Sequence, residues 1–318
     1  MEKIRPIINK HTLQSTKNFK QFFLNNKSKI KYTKISSLDV KSLFPSINVS
    51  ETIKFIIKTI YADPRKYFDI QTDENNNILD YPPANIFKTF LMEILTEFTS
   101  FTTKDGRFYR QKFGISMRSK LSTILADIYM FSVEDEIVNK YMKKDRLVAY
   151  KRYCDDIVLF TRDIESIHDI FNEFNSLDKN LKFTLELNEN NSLNFLDTHI
   201  YVDNETGEFE FGIFQKEIKH DKLDNFKFSI SPIKQKIGVL CGEIYRANNC
   251  SSNSKNLDRA LKFIEKKFLK NSYPKKLIAE KIKEIKNRNF QKKERQNNHV
   301  EILKNTPHLY HTMCFQYT

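Results

Sequence analysis

Tryptophan is absent from this 318-residue sequence, and glycine occurs only 6 times. So little glycine leaves no GxGxxG and no GxxxxGK(S/T) run, which excludes nucleotide binding by a Rossmann crevice or a P-loop. The four cysteines, Cys154, Cys241, Cys250 and Cys314, are too few and too scattered for a disulfide scaffold. No CxxC pair offers a zinc site, and the pattern suits a reducing compartment. No stretch approaches the ~18 apolar residues of a membrane helix. The opening residues Met1-Glu2-Lys3-Ile4-Arg5 lack the apolar run of a signal peptide. A soluble, intracellular protein without a membrane partner is expected.

What the sequence has in quantity is phenylalanine and positive charge. Hydrophobic residues make up 40% and aromatics 13%, with 27 Phe, which is ample for the core of one large or two ordinary domains. The net charge of +13 favours polyanionic partners, nucleic acid first and an anionic membrane surface second. Between Lys255 and Arg295 there are 15 Lys or Arg against 5 Asp or Glu. A Lys- and Asn-rich composition also follows from AT-rich coding DNA, so the position of the charge has to decide.

Periodicity predicts a strand over 32–40, a turn at Pro45, and a helix from Ser50 with Ser50 as its cap. A second helix follows Pro82-Pro83, with Ile86, Phe90, Leu91, Ile94, Leu95 and Phe98 on its apolar face. Phe101–Phe113 reads as a hairpin turning at Lys104-Asp105-Gly106, and a long helix starts at Ser119. Two β-rich runs, 147–153 and 157–161, flank Cys154-Asp155-Asp156. A helix over 164–177, a strand over 181–186 and a hairpin arm over 192–201 come next. Leu257, Leu261, Ile264 and Phe268 then form a helical stripe, and Leu277, Ile278, Ile282 and Ile285 another. The composition shifts over 210–255 from an α+β body to a basic helical domain.

The paired acids carry the chemistry. Two adjacent carboxylates repel, and one is driven toward protonation unless a cation compensates. A hard divalent ion with oxygen ligands, Mg²⁺ first and Mn²⁺ as a substitute, meets that need. With Asp39 at the end of a neighbouring strand, Asp39, Asp155 and Asp156 are candidate ligands for two ions supporting in-line phosphoryl transfer. An exposed Asp-Asp turn without a metal has the same local sequence; the flanking hydrophobic strands argue against it.

Ser37-Leu38-Asp39-Val40-Lys41-Ser42-Leu43-Phe44-Pro45-Ser46-Ile47 resembles the first palm motif of Penelope-like reverse transcriptases. Arg152-Tyr153-Cys154-Asp155-Asp156-Ile157 is similar to their Arg-Tyr-Val-Asp-Asp-Ile box, and 181–186 with 193–197 to their late palm segments. Ser231-Pro232, Lys236–Leu240, Tyr245-Arg246-Ala247 and Tyr273-Pro274 echo the thumb. The resemblance implies an α+β right-hand polymerase palm, an antiparallel sheet with helices, joined to residual fingers and a helical thumb. It implies a residual fingers segment at 1–30, the palm at 31–210, a basic thumb at 211–290 and a tail at 291–318. Its partners would be an RNA template, a DNA primer and deoxynucleoside triphosphates, and the nucleus its expected location.

Residue by residue, the resemblance makes Asp39, Asp155 and Asp156 catalytic and adds Val40 to the metal ligands. Phe44 becomes the gate that fills the space of a ribose 2′-hydroxyl, although a core Phe after a strand reads alike. Arg5, Gln111, Gly114 and Lys182 become substrate-binding residues; for Lys182 a solvated strand-end lysine reads equally well. Phe195, Leu196 and Asp197 become the primer grip. The second palm motif departs from the family: Arg118 stands where Gly is expected and Lys120 where Pro is expected. A long cationic side chain obstructs the close backbone approach that Gly permits. Most of the fingers and the GIY-YIG endonuclease have no recognisable counterpart, so a truncated copy is expected. Both a working polymerase and a non-catalytic nucleic-acid-binding remnant are open readings.

Overall fold

The computed structural model describes residues 4–68, 81–96, 100–117, 121–188, 190–214 and 223–287. Arg118, Ser119, Lys120, Phe98, Cys314 and the 291–318 tail lie outside them. The chain divides into two compact units, Met1–Glu210 and Phe211–Thr318.

The first unit opens with the short α1 (Arg5–Ile8), α2 (Thr16–Ile30) and the strand β1 (Lys34–Val40). Helices α3 (Leu43–Ser46), α4 (Val49–Ala62), α5 (Pro64–Tyr67) and α6 (Ala84–Thr96) lead to the hairpin β2 (Ser100–Thr102) and β3 (Phe108–Arg110). The long α7 (Ser122–Lys143) precedes the hairpin β4 (Leu147–Tyr153) and β5 (Asp156–Thr161), followed by α8 (Ile164–Leu177) and β6 (Phe183–Glu186). Strands β7 (Leu193–Phe195), β8 (Thr198–Val202) and β9 (Phe209–Ile213) form a separate three-stranded sheet.

The main sheet runs β4-β5-β1-β6, with β1 antiparallel to both β5 and β6, and β4 antiparallel to β5. Five consecutive residues of β5, Ile157–Thr161, are buried, as a strand covered on both faces requires. Ile157 and Leu159 join the core that also takes in Ile128 of α7 and Ile170 and Phe174 of α8. Phe160 turns to the other face, where its ring meets Phe23 of α2 at 6.5 Å and Phe209 at 5.5 Å. Each such side chain contributes roughly 1.5–3 kcal/mol by leaving water, so the two hydrophobic layers fix the register of the sheet.

Two expectations about boundaries and faces change, and the expected start of the long helix at Ser119 lies outside the described residues. The cap of α4 is Asn48, whose side chain accepts the Glu51 N–H at 3.2 Å, and Ser50 lies inside the helix. Asn48 is the residue with the extended backbone that a cap position needs. On α6 the core takes Phe87, Leu91, Ile94 and Leu95, while Ile86 and Phe90 are exposed on a separate row. The described part of the long helix begins at Ser122, whose hydroxyl donates to the Ser116 carbonyl.

The second unit contains α9 (Ile233–Asn249), α10 (Ser254–Lys270) and a helix at 275–287, here α11. The predicted stripes supply its core: Leu240 and Ile244 from α9, Leu261, Ile264 and Phe268 from α10, Ile278 and Ile285 from α11, with Tyr273 between the last two helices. Asn253 caps α10 by accepting the Asn256 N–H at 2.8 Å. Lys236, buried, points its ammonium at the Phe226 and Ser229 carbonyls, 3.0 and 2.7 Å away, which satisfies a charge that burial would otherwise penalise. No helix among the described residues is long and apolar enough to cross a membrane.

Candidate active site

The end of the main sheet brings the predicted acids together. In the antiparallel register of β1 and β5, Asp39 is the cross-strand partner of Asp156. On its other side Asp39 pairs with Thr184 of β6, whose hydroxyl donates to the Asp39 carbonyl at 3.4 Å. Directly opposed like charges destabilise a sheet, so nothing in folding alone favours this pair. Asp155 sits in the turn between β4 and β5, and its carbonyl accepts the Val40 N–H at 3.2 Å, tying the turn to the end of β1. Val40 itself is buried and in register with Phe183.

Partial desolvation, followed by the negative charges of Asp155, Asp39 and Glu186, pushes the Asp156 carboxyl above the ordinary carboxylate range. A cluster of acids that raises a member's pKa is the donor set that a hard divalent cation neutralises, so Asp39, Asp155 and Asp156 fit Mg²⁺ in chemistry. They share one sheet end without closing around a point: among the described residues no group of three His, Cys, Asp or Glu side chains stands ready to hold a metal ion.

The turn that carries the acids is held from below. Cys154 adopts a left-handed conformation, φ 53°, and its carbonyl accepts Arg152 Nη1 at 2.9 Å. Arg152 is fully buried; Nε donates to Glu134 Oε2 at 2.8 Å, Nη1 also to Asp127 Oδ1 at 3.0 Å, and Nη2 to Thr12 Oγ1 at 3.1 Å. The Tyr150 hydroxyl donates to the same Glu134 oxygen at 2.7 Å. Burial works against the Arg152 charge, but Glu134 and Asp127 outweigh it and hold the guanidinium above its usual range. Its main chain clasps the segment after α1: the Arg152 N–H donates to the His11 carbonyl at 2.9 Å, and the Leu13 N–H to the Arg152 carbonyl at 2.6 Å. Sequence reasoning placed Arg152 in a motif and gave it no role. The available signal was a guanidinium inside an otherwise hydrophobic β run.

The remaining candidates fall in several places. Phe44, half-buried in α3, packs against the main core, and its carbonyl accepts the Ile115 N–H at 2.9 Å. Gly114, φ 71°, presses on the same spot: a Cβ there would stand 2.5 Å from the Phe44 carbonyl oxygen and from Pro45 backbone atoms. Gly114 therefore seats the Phe44 backbone. The Gln111 side chain donates to the Phe113 carbonyl at 2.7 Å. Lys182 is exposed just before β6, and its carbonyl accepts the Lys41 N–H at 2.8 Å, which places it beside the acidic end of the sheet. Burial holds the Asp127 carboxyl above the ordinary range despite Arg152, and the Arg5 charge adds a small opposing effect next to the Arg152 network. Phe195 ends β7 of the other sheet, and Leu196 and Asp197 form the turn that follows it. Phe195 packs on Phe19 at 5.1 Å, and Leu196, φ 54°, turns β7 into β8.

The fold is similar to that of solved telomerase structures. The chain is similar to the telomerase of Candida albicans solved with a TWJ fragment of telomeric RNA, with a TM-score of 0.54 and 13% identity over 85% of this chain and 46% of that one. It is similar also to apo telomerase from Candida tropicalis, with a TM-score of 0.50 and 14% identity over 89% of this chain and 48% of that one. The chain thus spans about half the length of these relatives. Residues 227–283, which take in α9 and α10, match the family model of the animal helix-turn-helix domain. No curated protein matches the chain.

Proposed function

We propose that this chain is the palm and thumb of a reverse transcriptase of the Penelope-like type, extending a DNA primer on an RNA template. The observation that carries the reading is the register of Asp39 against Asp156, with Asp155 tied to the same sheet end in a polymerase-like fold. Asp39, Asp155 and Asp156, with the Val40 main chain, would hold Mg²⁺. When bound, the metal lowers the pKa of the primer 3′-hydroxyl and stabilises the charge of the departing pyrophosphate. Phe44, seated on Gly114, limits the space at the sugar, and Lys182 beside the acids meets the triphosphate's charge. In the second unit Lys255, Arg259, Lys262 and Lys266 are exposed at helical spacing along one face of α10, opposite Leu261 and Ile264. Such a stripe grips a template–primer hybrid by its phosphates without reading sequence. The helix-turn-helix match over the same residues supports a nucleic-acid role for this unit. The reading extends to a nuclear, retroelement-derived protein.

Extension of a labelled DNA primer on an RNA template, with deoxynucleotides and Mg²⁺, tests the proposal. Elongation that a chelator abolishes supports it. Salt-sensitive binding of the hybrid with no elongation makes the chain a non-catalytic nucleic-acid-binding relative, the reading that the substitutions at Arg118 and Lys120 favour.

A further inference from the structure

The hairpin of β2 and β3 buries almost nothing. All six of its strand residues are exposed, although a two-stranded hairpin gains stability mainly by covering an apolar face. Its residues are nevertheless large and aromatic. Phe101 and Tyr109 are direct cross-strand partners, and their rings stack on one face at 5.7 Å and 17°. Strand alternation sends Phe108 to the opposite face, where it is 72% exposed, and Phe113 just beyond the strand is 81% exposed.

Charge says what such a surface fits. Lys104, Arg107, Arg110 and Lys112 interleave with these rings, and Asp105 is the single acid between Ser100 and Phe113. That acid is committed to the turn: the Thr103 hydroxyl donates to it, and Arg107 Nε lies 2.6 Å from it. A protein-facing apolar patch is depleted of charge at its centre. Alternating cations and aromatic faces instead match successive phosphates and bases of an unpaired strand, which stack on any ring regardless of sequence.

We propose that the β2–β3 hairpin and the following segment through Phe113 form a stacking platform for single-stranded nucleic acid. Phe108 and Phe113 receive bases, and Lys104 and Lys112 lie along the phosphates. Only the identity of the strand rests on the polymerase reading: there it is the unpaired template next to the hybrid.

The test uses the full chain and three labelled probes: a blunt RNA–DNA hybrid, the same hybrid with a short unpaired template overhang, and the overhang alone as RNA or DNA. Phe108→Ala and Phe113→Ala each lose roughly tenfold in affinity for the overhang-bearing hybrid and the free strands, the size expected for one stacked base. Affinity for the blunt hybrid is unchanged. Because the chain has no Trp, Phe108→Trp installs a single reporter whose emission the overhang quenches. Equal affinities of parent and variants for the overhang, or Trp emission indifferent to saturating strand, overturns the proposal. So does loss of self-association with strand affinity intact, which would make the face a protein contact. The exposure of both rings keeps unfolding out of the comparison. The readout is binding, so a chain that never elongates a primer can still pass, and one that elongates can still fail.

Discussion

Arg152 Nη1 bonds the carbonyl of Cys154 at 2.9 Å, so the one fully buried guanidinium among the described residues grips the turn that carries Asp155 and Asp156. Its other bonds run to Asp127 and Glu134 of α7 and to Thr12, joining helix, strand and the segment after α1 at one point. Removing one partner of such a group leaves an uncompensated buried charge. Arg152→Met is therefore expected to cost roughly 3–5 kcal/mol in urea unfolding. Adding Glu134→Gln recovers part of that loss, since Tyr150 still has an acceptor.

Two glycines separate backbone strain from packing. At Gly106, φ 79°, no atom lies within 4 Å of the place a Cβ would take, whereas at Gly114 a Cβ would collide with the backbone of Phe44 and Pro45 at 2.5 Å. Gly106→Ala should cost about 1–2 kcal/mol, the ordinary left-handed penalty. Gly114→Ala should cost clearly more and, on the proposed polymerase reading, should also change the preference for deoxynucleotides over ribonucleotides because it moves Phe44. Thermal unfolding and a nucleotide-competition assay read the two effects.

Acid sensitivity is expected below neutrality from His11. It is buried against Phe131 and Tyr150, and desolvation lowers its pKa more than the hydrogen bond to Asp135 raises it. The unfolded chain then binds a proton that the folded chain resists, so stability falls as pH drops from about 6.5 toward the lower folded value. Asp135 acts in the same direction at lower pH. Desolvation opposes its charge, but Lys10 and His11 hold its pKa below the usual carboxylate value, and that stability is lost on protonation. His11→Phe should flatten the fall in melting temperature between about pH 6.5 and 5.

Asp156 has the opposite sign. Its raised folded pKa means that the folded state holds a proton the unfolded state releases, so stability falls as pH rises above the unfolded value. Without metal at neutral pH, Asp156→Asn should melt above the parent. On the proposed reading, adding Mg²⁺ should raise the melting temperature of the parent and leave the variant nearly unmoved.

The central hairpin was legible because hydrophobic β runs on both sides of Cys154-Asp155-Asp156 admit few other folds, and β4 and β5 follow them. The helices α8 and α10 were legible from apolar spacing alone. What escaped depended on long-range contact. Nothing local shows that Gly114 rests on Phe44, seventy positions away, or that Arg152 is buried among Asp127, Glu134 and Thr12. The α4 cap was misplaced because Asn48 and Ser50 are both good caps, and only the backbone conformation distinguishes them. Ile86 and Phe90 of α6 fit an apolar stripe in sequence, yet only the row of Phe87, Leu91, Ile94 and Leu95 meets the core.

The most direct test of the central claim is Asp39→Ala in primer extension, read beside hybrid binding at the same salt. Asp39 is exposed and its side chain supports no core contact, so folding is preserved. Elongation on an RNA template should fall by at least about a hundredfold, in line with the loss of a positioned electrostatic group, while hybrid affinity holds. Elongation at the parent's rate would remove Asp39 from the site, and with it the cross-strand pair on which the polymerase reading stands.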